Sequence, residues 1–429
     1  MWEVIYPERR ANGDRCDIDV EQGESLRQIK NVHFGDVWIC SGQSNMMITM
    51  DYIMNATEEI AASRDYTNIK MLKVFQETSS DPEDDLIGGT WPGWYTTADS
   101  GRLDLFSAVC FLFARSMTDK LNPGGEKEHV FGLISSAWGG TKIESWSSTD
   151  ALDLCGIPPN VNEENPQHSS SALWNAMMHP FTRHNVYGGL WYQGESNKVY
   201  NNEKYNCSLP ALIGDWRAKW RGSDPIFPFG VVQLGTDVDN GGVTIRWHQT
   251  ADYGYTPSTT LENVFMAVAF DTYDEEGGVH SRYKQIIGER LSISGGNIAY
   301  GFDTPTNGPF PESFTQIDGN QVEILYDQPF TYNNLETSGF WICCQEFDAC
   351  NNQDDWGWYE MVKSNVTAVT EESKVMVDLT GLCDWTGEVA VGNLAYMWAD
   401  KKVKGYLGAP IYADDEYRLP AAPWAHQLK

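Results

Sequence analysis

The sequence is poor in positive charge and contains no long apolar run. Thirty Lys and Arg residues stand against 60 Asp and Glu residues, which gives a formal net charge of −30. Nucleic acid and anionic membrane surfaces both repel such a chain, so neither is an expected partner. Every apolar run is shorter than the ~20 residues of a membrane-spanning helix, and we therefore expect no membrane span.

Cysteine is moderately represented. Nine cysteines in 429 residues allow disulfides but do not form a dense disulfide framework. No Cys-x-x-Cys pair indicates a zinc site. The cysteines expected to pair most readily cluster in the last third of the chain, at Cys343, Cys344, Cys350 and Cys383. Sequons for N-glycosylation are no more frequent than chance in a chain this rich in Asn, and they stand at Asn55, Asn206 and Asn365.

Apolar strand-like runs alternate with helical spacing between residues 36 and 300. The strand candidates are Val37–Cys40, Lys70–Phe75, Val130–Ile134, Val186–Tyr192, Phe229–Leu234 and Val264–Phe270. The helix candidates are Phe106–Leu121, Leu173–Met178, Tyr205–Trp220, Ile245–Tyr253 and Tyr283–Leu291. This alternation predicts an α/β fold, a three-layer sandwich with a parallel sheet and helices on both faces.

The two ends of the chain have a different texture. Residues 1–35 alternate weakly and indicate short strands, the remainder of an N-terminal β region. After residue 300, short alternating runs such as Gln321–Tyr326 and Lys374–Leu379 are separated by turns, and no long helical pattern returns. We therefore predict an α/β domain over 36–300 and a C-terminal β domain over 301–429. Two polar, proline-containing segments, Thr78–Ser100 and Cys155–Ser170, are expected to be loops.

Ser44 has the sequence context of a nucleophile. It follows the buried-strand pattern Val37–Cys40 and a turn that contains Gly42. A serine at a strand-to-helix turn is presented rigidly at the carboxyl edge of the sheet. The local pattern is also typical of a helix N-cap, since Ser and Asn both favour that position. The usual α/β-hydrolase elbow is disfavoured, because Met46 stands where its second glycine would be.

Three later stretches favour the nucleophile. They are Ser136–Trp146, Gly189–Asn197 and Val279–Gln285, and each follows a strand-like run. Together with the stretch around Ser44, they resemble the sequence blocks of SGNH hydrolases, most closely those of the sialate O-acetylesterase family. The resemblance covers nearly the whole chain. It implies an SGNH-hydrolase-like catalytic domain at 36–300 and a serine esterase that removes O-acetyl groups from sialic acids.

The resemblance also implies a histidine base and leaves the acid open. The segment from His280 to Leu291 is similar to the catalytic histidine segment of the family. SGNH hydrolases typically carry Asp three residues before this histidine, and Gly277 stands there instead. Glu195 is the first choice for the acid, because related acetyl-esterases use this Glu against the histidine. Asp271, at the end of the last strand candidate, is the alternative acid.

The oxyanion hole is predicted from Gly140 and Gln193. The backbone N–H of Gly140 is free of side-chain obstruction, and the amide of Gln193 would be the side-chain donor. The backbone N–H of Ser44 or Gln43 is a further candidate. The mechanism would be acyl transfer, which needs neither a metal nor an organic cofactor.

Two other functions stay open at this point. One is an acetyl-esterase of another acetylated carbohydrate such as xylan. The other is a carbohydrate-binding relative with weakened catalysis, which the missing Asp before His280 favours. The resemblance implies the secretory pathway, lysosomal or extracellular, whereas the first ten residues do not form a signal peptide. We therefore expect a mature, alternative or truncated start, which leaves a cytosolic form open; the oligomeric state is not predicted.

Overall fold

A seven-stranded sheet forms the centre of the protein. The computed structural model describes residues 15–99, 101–125, 128–235, 242–317, 320–333, 339–343, 362–363, 365–370, 373–381, 392–396 and 409–428. The chain enters through a hairpin of β1 (Arg15–Gln22) and β2 (Ser25–His33). The central strands follow as β3 (Asp36–Gly42), β4 (Ile69–Val74), β5 (Thr90–Thr96), β6 (Phe131–Ala137), β7 (Gly188–Tyr192), β8 (Phe229–Gln233) and β9 (Val264–Val268). Their order in the sheet is β5-β4-β6-β3-β7-β8-β9, and every pairing is parallel except that of β5 with β4.

Helices cover both faces of this sheet. They are α1 (Ser44–Met47), α2 (Ala56–Ser63), α3 (Ala108–Leu121), α4 (Ile143–Trp146), α5 (Thr149–Leu154), α6 (Tyr205–Lys219), α7 (Gly242–His248) and α8 (Lys284–Tyr300). Short 3₁₀ turns lie at Leu103–Leu105, Pro166–His168, His179–Phe181, Glu195–Asn197 and Asn202–Lys204, and a π-helical turn at Trp174–Met178.

Aromatic side chains hold each helical layer to the sheet. On one face, Trp38 of β3 packs edge-on against Phe113 of α3 at 4.8 Å between ring centroids. On the other face, Trp191 of β7 packs edge-on against Trp216 of α6 at 5.9 Å. Neighbouring residues of a strand point to opposite faces, so the strands, buried on both sides, read as continuous apolar runs. Because all six predicted strands are present, the predicted parallel α/β sandwich is confirmed.

One predicted loop contains a strand. The segment Thr78–Ser100 includes β5, which pairs antiparallel with β4 at the edge of the sheet. The sequence pattern did not predict this strand, because it contains Pro92 and Gly93 and both residue types are rare in central strands. An edge strand tolerates them, because only one of its sides needs backbone partners.

The C-terminal region is built from strands in the part that the structure describes. These are β10 (Pro311–Ile317), β11 (Gln321–Tyr326), β12 (Phe330–Tyr332), β13 (Phe340–Cys343), β14 (Val362–Lys363), β15 (Asn365–Thr370), β16 (Lys374–Asp378), β17 (Gly392–Tyr396), β18 (Ile411–Ala413) and β19 (Trp424–Leu428). They form sheets of order β10-β11-β16-β15, β12-β18 and β14-β13-β17-β19. Their core includes Met266 and Val268 of β9, so the edge of the central sheet packs directly on this region.

Two disulfides lie in the α/β part. Cys40 of β3 is bonded to Cys110 of α3, and Cys155 is bonded to Cys207 of α6. The first fastens the strand before Ser44 to a core helix; closing a loop of this length contributes on the order of 4 kcal/mol. The predicted disulfide pairing in the C-terminal region involves side chains outside the described residues, those of Cys343, Cys344, Cys350 and Cys383. None of the helices in the described ranges is long and apolar enough to cross a membrane.

Candidate active site

Ser44 lies at the carboxyl edge of the sheet, where β3, β6 and β7 end. Gly42, two residues before it, has φ +139°, and a Cβ there would lie 2.2 Å from the carbonyl oxygen of Tyr192. Only glycine therefore allows β3 to turn so close to β7. Gln43 is the N-cap and Ser44 is the first residue of α1, so the capping alternative does not describe this serine.

His280 is placed to accept the proton of Ser44. Its Nε2 lies 2.8 Å from Ser44 Oγ, although 236 residues separate the two. The loop after β9 carries the ring to this position, and Gly278 bends the loop with φ +58°. Burial lowers the pKa of His280, and the nearby Lys284 ammonium lowers it further. The imidazole is therefore neutral, and can act as a base, at neutral pH.

Asn45 connects the serine turn to the histidine loop. Its Nδ2 donates to Glu195 Oε1 at 2.5 Å and to the carbonyl oxygen of Val279, the residue before His280, at 2.9 Å. Its Oδ1 accepts a hydrogen bond from Lys284 Nζ at 2.7 Å. One buried amide thus joins an acid, a cation and the backbone that carries the base.

The two charged partners of Asn45 are themselves buried. Burial lowers the pKa of Lys284 to about 7, and the attraction of Glu195 and Asp274 opposes that shift. The Lys284 ammonium also lies 5.1 Å from the ring centroid of Tyr192, a cation–π contact. Burial raises the pKa of Glu195, which the hydrogen bond from Asn45 opposes.

Neither predicted acid contacts the histidine ring. Within the described residues, no carboxylate is hydrogen-bonded to the ring of His280; Glu195 reaches Asn45 instead, and its Oε2 is buried without a partner there. Asp271 is fully buried and bonded by both oxygens to Arg290, at 2.6 and 2.7 Å. It also accepts a hydrogen bond from Tyr412 of β18 at 2.6 Å. The structure therefore places Asp271 in a link between the α/β part and the C-terminal region.

Gly277 has no room for the Asp that is usual at this position. A Cβ there would lie 2.6 Å from Asp274 Oδ2 and 2.6 Å from the carbonyl oxygen of His280. Asp274 cannot easily move, because Arg282 donates to its two oxygens at 2.6 and 2.9 Å. The same hydrogen bonds lower the pKa of Asp274 to about 2.

The two predicted oxyanion donors are placed differently. The Gly139–Gly140 turn lies against the nucleophile, since a Cβ on Gly139 would be 3.4 Å from Ser44 Cβ. The amide of Gln193 is fully buried, and its Nε2 donates to Thr141 O at 3.1 Å and Asn197 Oδ1 at 2.8 Å. Both N–H groups of this amide are thus used inside the protein, and Gln193 supports the turn rather than facing a substrate.

Sequence reasoning missed the roles of Asn45 and Lys284. Both stand in the sequence blocks that carry the resemblance, but a charged lysine at a helix start is ordinarily solvated. Only the fold shows that Lys284 is completely buried against Asn45. Among the described residues, no group of three His, Cys, Asp or Glu side chains is arranged to hold a metal ion.

The family models match most of the chain. The model described as carbohydrate esterase, sialic acid-specific acetylesterase matches residues 34–292. The model of the sialate O-acetylesterase C-terminal domain matches residues 312–428.

Individual proteins agree with these matches. Human sialate O-acetylesterase is 36% identical over 449 residues, which cover 99% of this chain and 81% of the relative. The mouse sialate O-acetylesterase is 37% identical over 365 residues, covering 74% of this chain and 66% of the relative. A carbohydrate acetylesterase from Xanthomonas citri has the same fold, with a TM-score of 0.78 at 23% identity over 99% of this chain and 88% of its own. This chain therefore belongs to the sialate O-acetylesterase family of carboxylic ester hydrolases.

Proposed function

We propose that this protein is a serine esterase that removes O-acetyl groups from sialic acids through an acetyl-serine intermediate. The hydrogen bond of 2.8 Å between Ser44 Oγ and His280 Nε2 carries the proposal. A serine needs a base within hydrogen-bond reach to become a nucleophile, and here that base is kept neutral by burial. The substrate class follows from relatives that are named for it.

The reaction has two symmetrical halves. His280 Nε2 takes the proton of Ser44 while Oγ bonds to the acetyl carbonyl carbon, and the carbonyl oxygen becomes an oxyanion. The bond from the carbonyl carbon to the sugar oxygen then breaks, and the imidazolium gives its proton to that oxygen, so the sugar leaves with a free hydroxyl. Water repeats the sequence on the acetyl-serine, so acetate and free Ser44 are formed.

Backbone N–H groups stabilise the oxyanion in this mechanism. Gly140 follows the turn that lies against Ser44, and its φ of +74° with no atom near its would-be Cβ leaves space for a ligand. The N–H of Ser44 at the start of α1 is the second source, since the first N–H of a helix has no partner inside the helix. The other candidate, the N–H of Gln43, already donates to Tyr192 O at 3.0 Å. Because both N–H groups of the Gln193 amide are hydrogen-bonded inside the protein, these backbone groups stabilise the oxyanion without it.

Glu195 acts as a positioning residue. Its carboxylate holds the Asn45 amide, and that amide holds the carbonyl of Val279 beside the base. The His280 ring is thereby fixed through its backbone, and no carboxylate in the described part of the chain is bonded to its second nitrogen. This arrangement is a Ser–His dyad with the acid acting through an intervening amide.

We further propose a secretory, lysosomal or extracellular location. The disulfides Cys40–Cys110 and Cys155–Cys207 support it, because disulfides form and persist in oxidising compartments. Asn55 is exposed and could accept a glycan, whereas the Asn206 side chain is already bonded to Asp252 at 2.6 Å.

Ser44→Ala tests the proposed chemistry. Acetate release should be measured from O-acetylated sialic acid, from acetylated xylan and from p-nitrophenyl acetate. We expect the wild type to prefer the sialic acid and the variant to lose several powers of ten in kcat on every substrate. Near-normal turnover by a folded Ser44→Ala would exclude the serine mechanism, and a preference for xylan would assign the protein to another acetylated carbohydrate. An unmodified protein inactive on all three would be a binding relative.

A further inference from the structure

A cavity beside Ser44 is not used by the mechanism above. Its volume is about 380 Å³, and its wall includes Met47, Lys73, Phe75, Trp91, Leu105 and Ala137. We call it the Lys73 cavity. It lies at the carboxyl end of β4, next to helix α1 that starts with Ser44.

The Lys73 cavity adjoins the nucleophile. A Cβ on Gly139 would lie 3.4 Å from Met47 Cε in the cavity wall and 3.4 Å from Ser44 Cβ. Met47 Cε and Ser44 Cβ are therefore at most twice 3.4 Å apart. Ala137, also in the wall, is paired with Gly42 in the sheet and so lies beside the turn that presents Ser44.

The wall of the cavity is apolar and open to solvent. Met47 is 36% exposed, Phe75 44%, Trp91 38% and Leu105 40%. A cluster of large apolar side chains that remains exposed on a highly charged protein typically marks a binding surface. Aromatic rings of this kind offer flat faces for the C–H groups of a sugar.

Lys73 adds a positive charge to this apolar wall. Its Nζ donates one hydrogen bond, to the carbonyl oxygen of Leu105 at 2.8 Å, which leaves two N–H groups for another acceptor. Within the described residues it forms no ion pair, and burial lowers its pKa while the more distant Asp51 opposes that shift. Outside this wall, the Arg102 guanidinium lies 5.7 Å from the Trp91 ring centroid and 5.9 Å from that of Tyr95. A chain of net charge −30 thus presents a lysine in the wall of a cavity beside its nucleophile.

An O-acetylated sialic acid has the matching chemistry. It carries a carboxylate at one end of the sugar and acetyl esters on hydroxyls several bonds away. In the sheet, Lys73 is paired with Ser135, and Gly42 is paired with Ala137 two residues further along β6. Two residues along a strand span about 6.6 Å, and β4 and β3 lie on either side of β6, about 9.6 Å apart. The two backbone positions are thus about 12 Å apart, a distance that the long Lys73 side chain and one acetylated monosaccharide span together.

We propose that the Lys73 cavity binds the sugar carboxylate of the substrate, with Lys73 as the partner of that carboxylate and Trp91 and Phe75 against the sugar. This inference rests on the proposed sialate esterase function. It makes Lys73 the residue that distinguishes acidic sugars from neutral acetylated sugars such as those of xylan. The acetyl group is then directed past Met47 to Ser44.

The test compares two forms of one substrate. Acetate release is measured from O-acetylated N-acetylneuraminic acid and from the same compound with its carboxyl group blocked as a methyl ester. Charge-assisted hydrogen bonds are strong, so we expect the wild type to prefer the free acid by about ten- to a hundredfold in kcat/KM. In Lys73→Gln this ratio should fall to near one, mainly through KM for the free acid, and Lys73→Arg should retain part of it.

The chain offers matched controls for this experiment. Lys70 is on the same strand as Lys73 and is also partly buried, and its Nζ donates to Thr67 O at 2.9 Å. Because it stands three residues before Lys73, its side chain points to the opposite face of the sheet. Lys70→Gln should keep the preference for the free acid. Trp94, which is 53% exposed and packs toward Gly132, is the matching control for Trp91→Ala.

Each outcome decides between the two proposals. If Lys73→Gln keeps the same acid-to-ester ratio as Lys70→Gln, the cavity is not the carboxylate subsite, whereas acetate release by the wild type leaves the esterase function standing. If the wild type cleaves p-nitrophenyl acetate but neither sialic acid form, the proposed substrate and this subsite both fail. If Trp91→Ala raises KM for the free acid no more than Trp94→Ala does, the aromatic wall is not part of the subsite.

Discussion

Replacing Asn45 with alanine should impair both stability and turnover. The change removes the amide that joins Glu195, Lys284 and the carbonyl of Val279. Two of the lost hydrogen bonds involve charged groups, each worth about 1.5–3 kcal/mol. Because Glu195 and Lys284 are buried, water cannot readily replace the lost partner. We expect the free energy of unfolding to fall by roughly 3–5 kcal/mol.

The loss of activity should exceed what this loss of stability explains. Val279 directly precedes His280, so the Asn45 bond sets the position of the ring against Ser44 Oγ. A misplacement of about 1 Å between reacting groups can lower the rate about a hundredfold. We therefore expect kcat on p-nitrophenyl acetate to fall about a hundredfold at a temperature where the variant is fully folded.

A second buried asparagine is a control for stability alone. Asn68 is 6% exposed and donates to His129 O at 2.7 Å and Thr118 Oγ1 at 3.2 Å, at the opposite edge of the sheet. Thermal unfolding and kcat are measured for Asn45→Ala and Asn68→Ala side by side. The reasoning is refuted if both variants are folded at the assay temperature and their kcat values agree within about threefold.

Three further predictions concern the acid, the base and the C-terminal region. Glu195→Gln should reduce kcat less than about tenfold, because an amide oxygen can still accept from Asn45; a loss near 10⁴-fold would instead identify Glu195 as the direct partner of His280. The pKa of His280 is lowered from its ordinary value of 6.5, so the imidazole is neutral at neutral pH. The acidic limb of the kcat/KM profile should therefore lie below pH 6.5. A limb above pH 7 would contradict the assignment of His280 as the base. A chain ending at Tyr300 should aggregate or unfold without cooperativity in a thermal scan, because it exposes Met266, Val268 and the Asp271–Arg290 pair; a soluble, cooperative and fully active fragment would disprove this.

The architecture could be read from the sequence because its strands are buried on both faces. Continuous apolar runs such as Val37–Cys40 and Phe229–Leu234 leave little ambiguity in a chain that also carries clear helical spacing. The edge strand β5 was not predicted, because an edge position accepts Pro92 and Gly93, which the sequence pattern assigns to a loop. Nothing in a one-dimensional pattern distinguishes a proline in a loop from a proline on the outer side of a sheet.

The candidate site was predictable only as far as it depends on strand ends. Ser44 and His280 follow strands, so the fold brings them to one edge. The partner of a side chain, by contrast, depends on distances that spacing does not encode. Glu195 bonds an amide instead of the base, Asp271 bonds Arg290, and the Gln193 amide is used internally.

The crowding at Gly277 has an evolutionary consequence. The Asp that SGNH hydrolases typically carry there cannot be restored by a single substitution, because the first side-chain carbon would collide with Asp274 Oδ2 and with the main chain of His280. Asp274 would have to leave first, and its departure would leave the Arg282 guanidinium with Glu276 as its remaining ion-pair partner. The first step along this path therefore loses two hydrogen bonds before any new one can form. The effect of a substitution at 277 thus depends on the residues at 274 and 282, which is epistasis. We expect that Asp at 277 and the Asp274–Arg282 pair rarely occur in the same homologue.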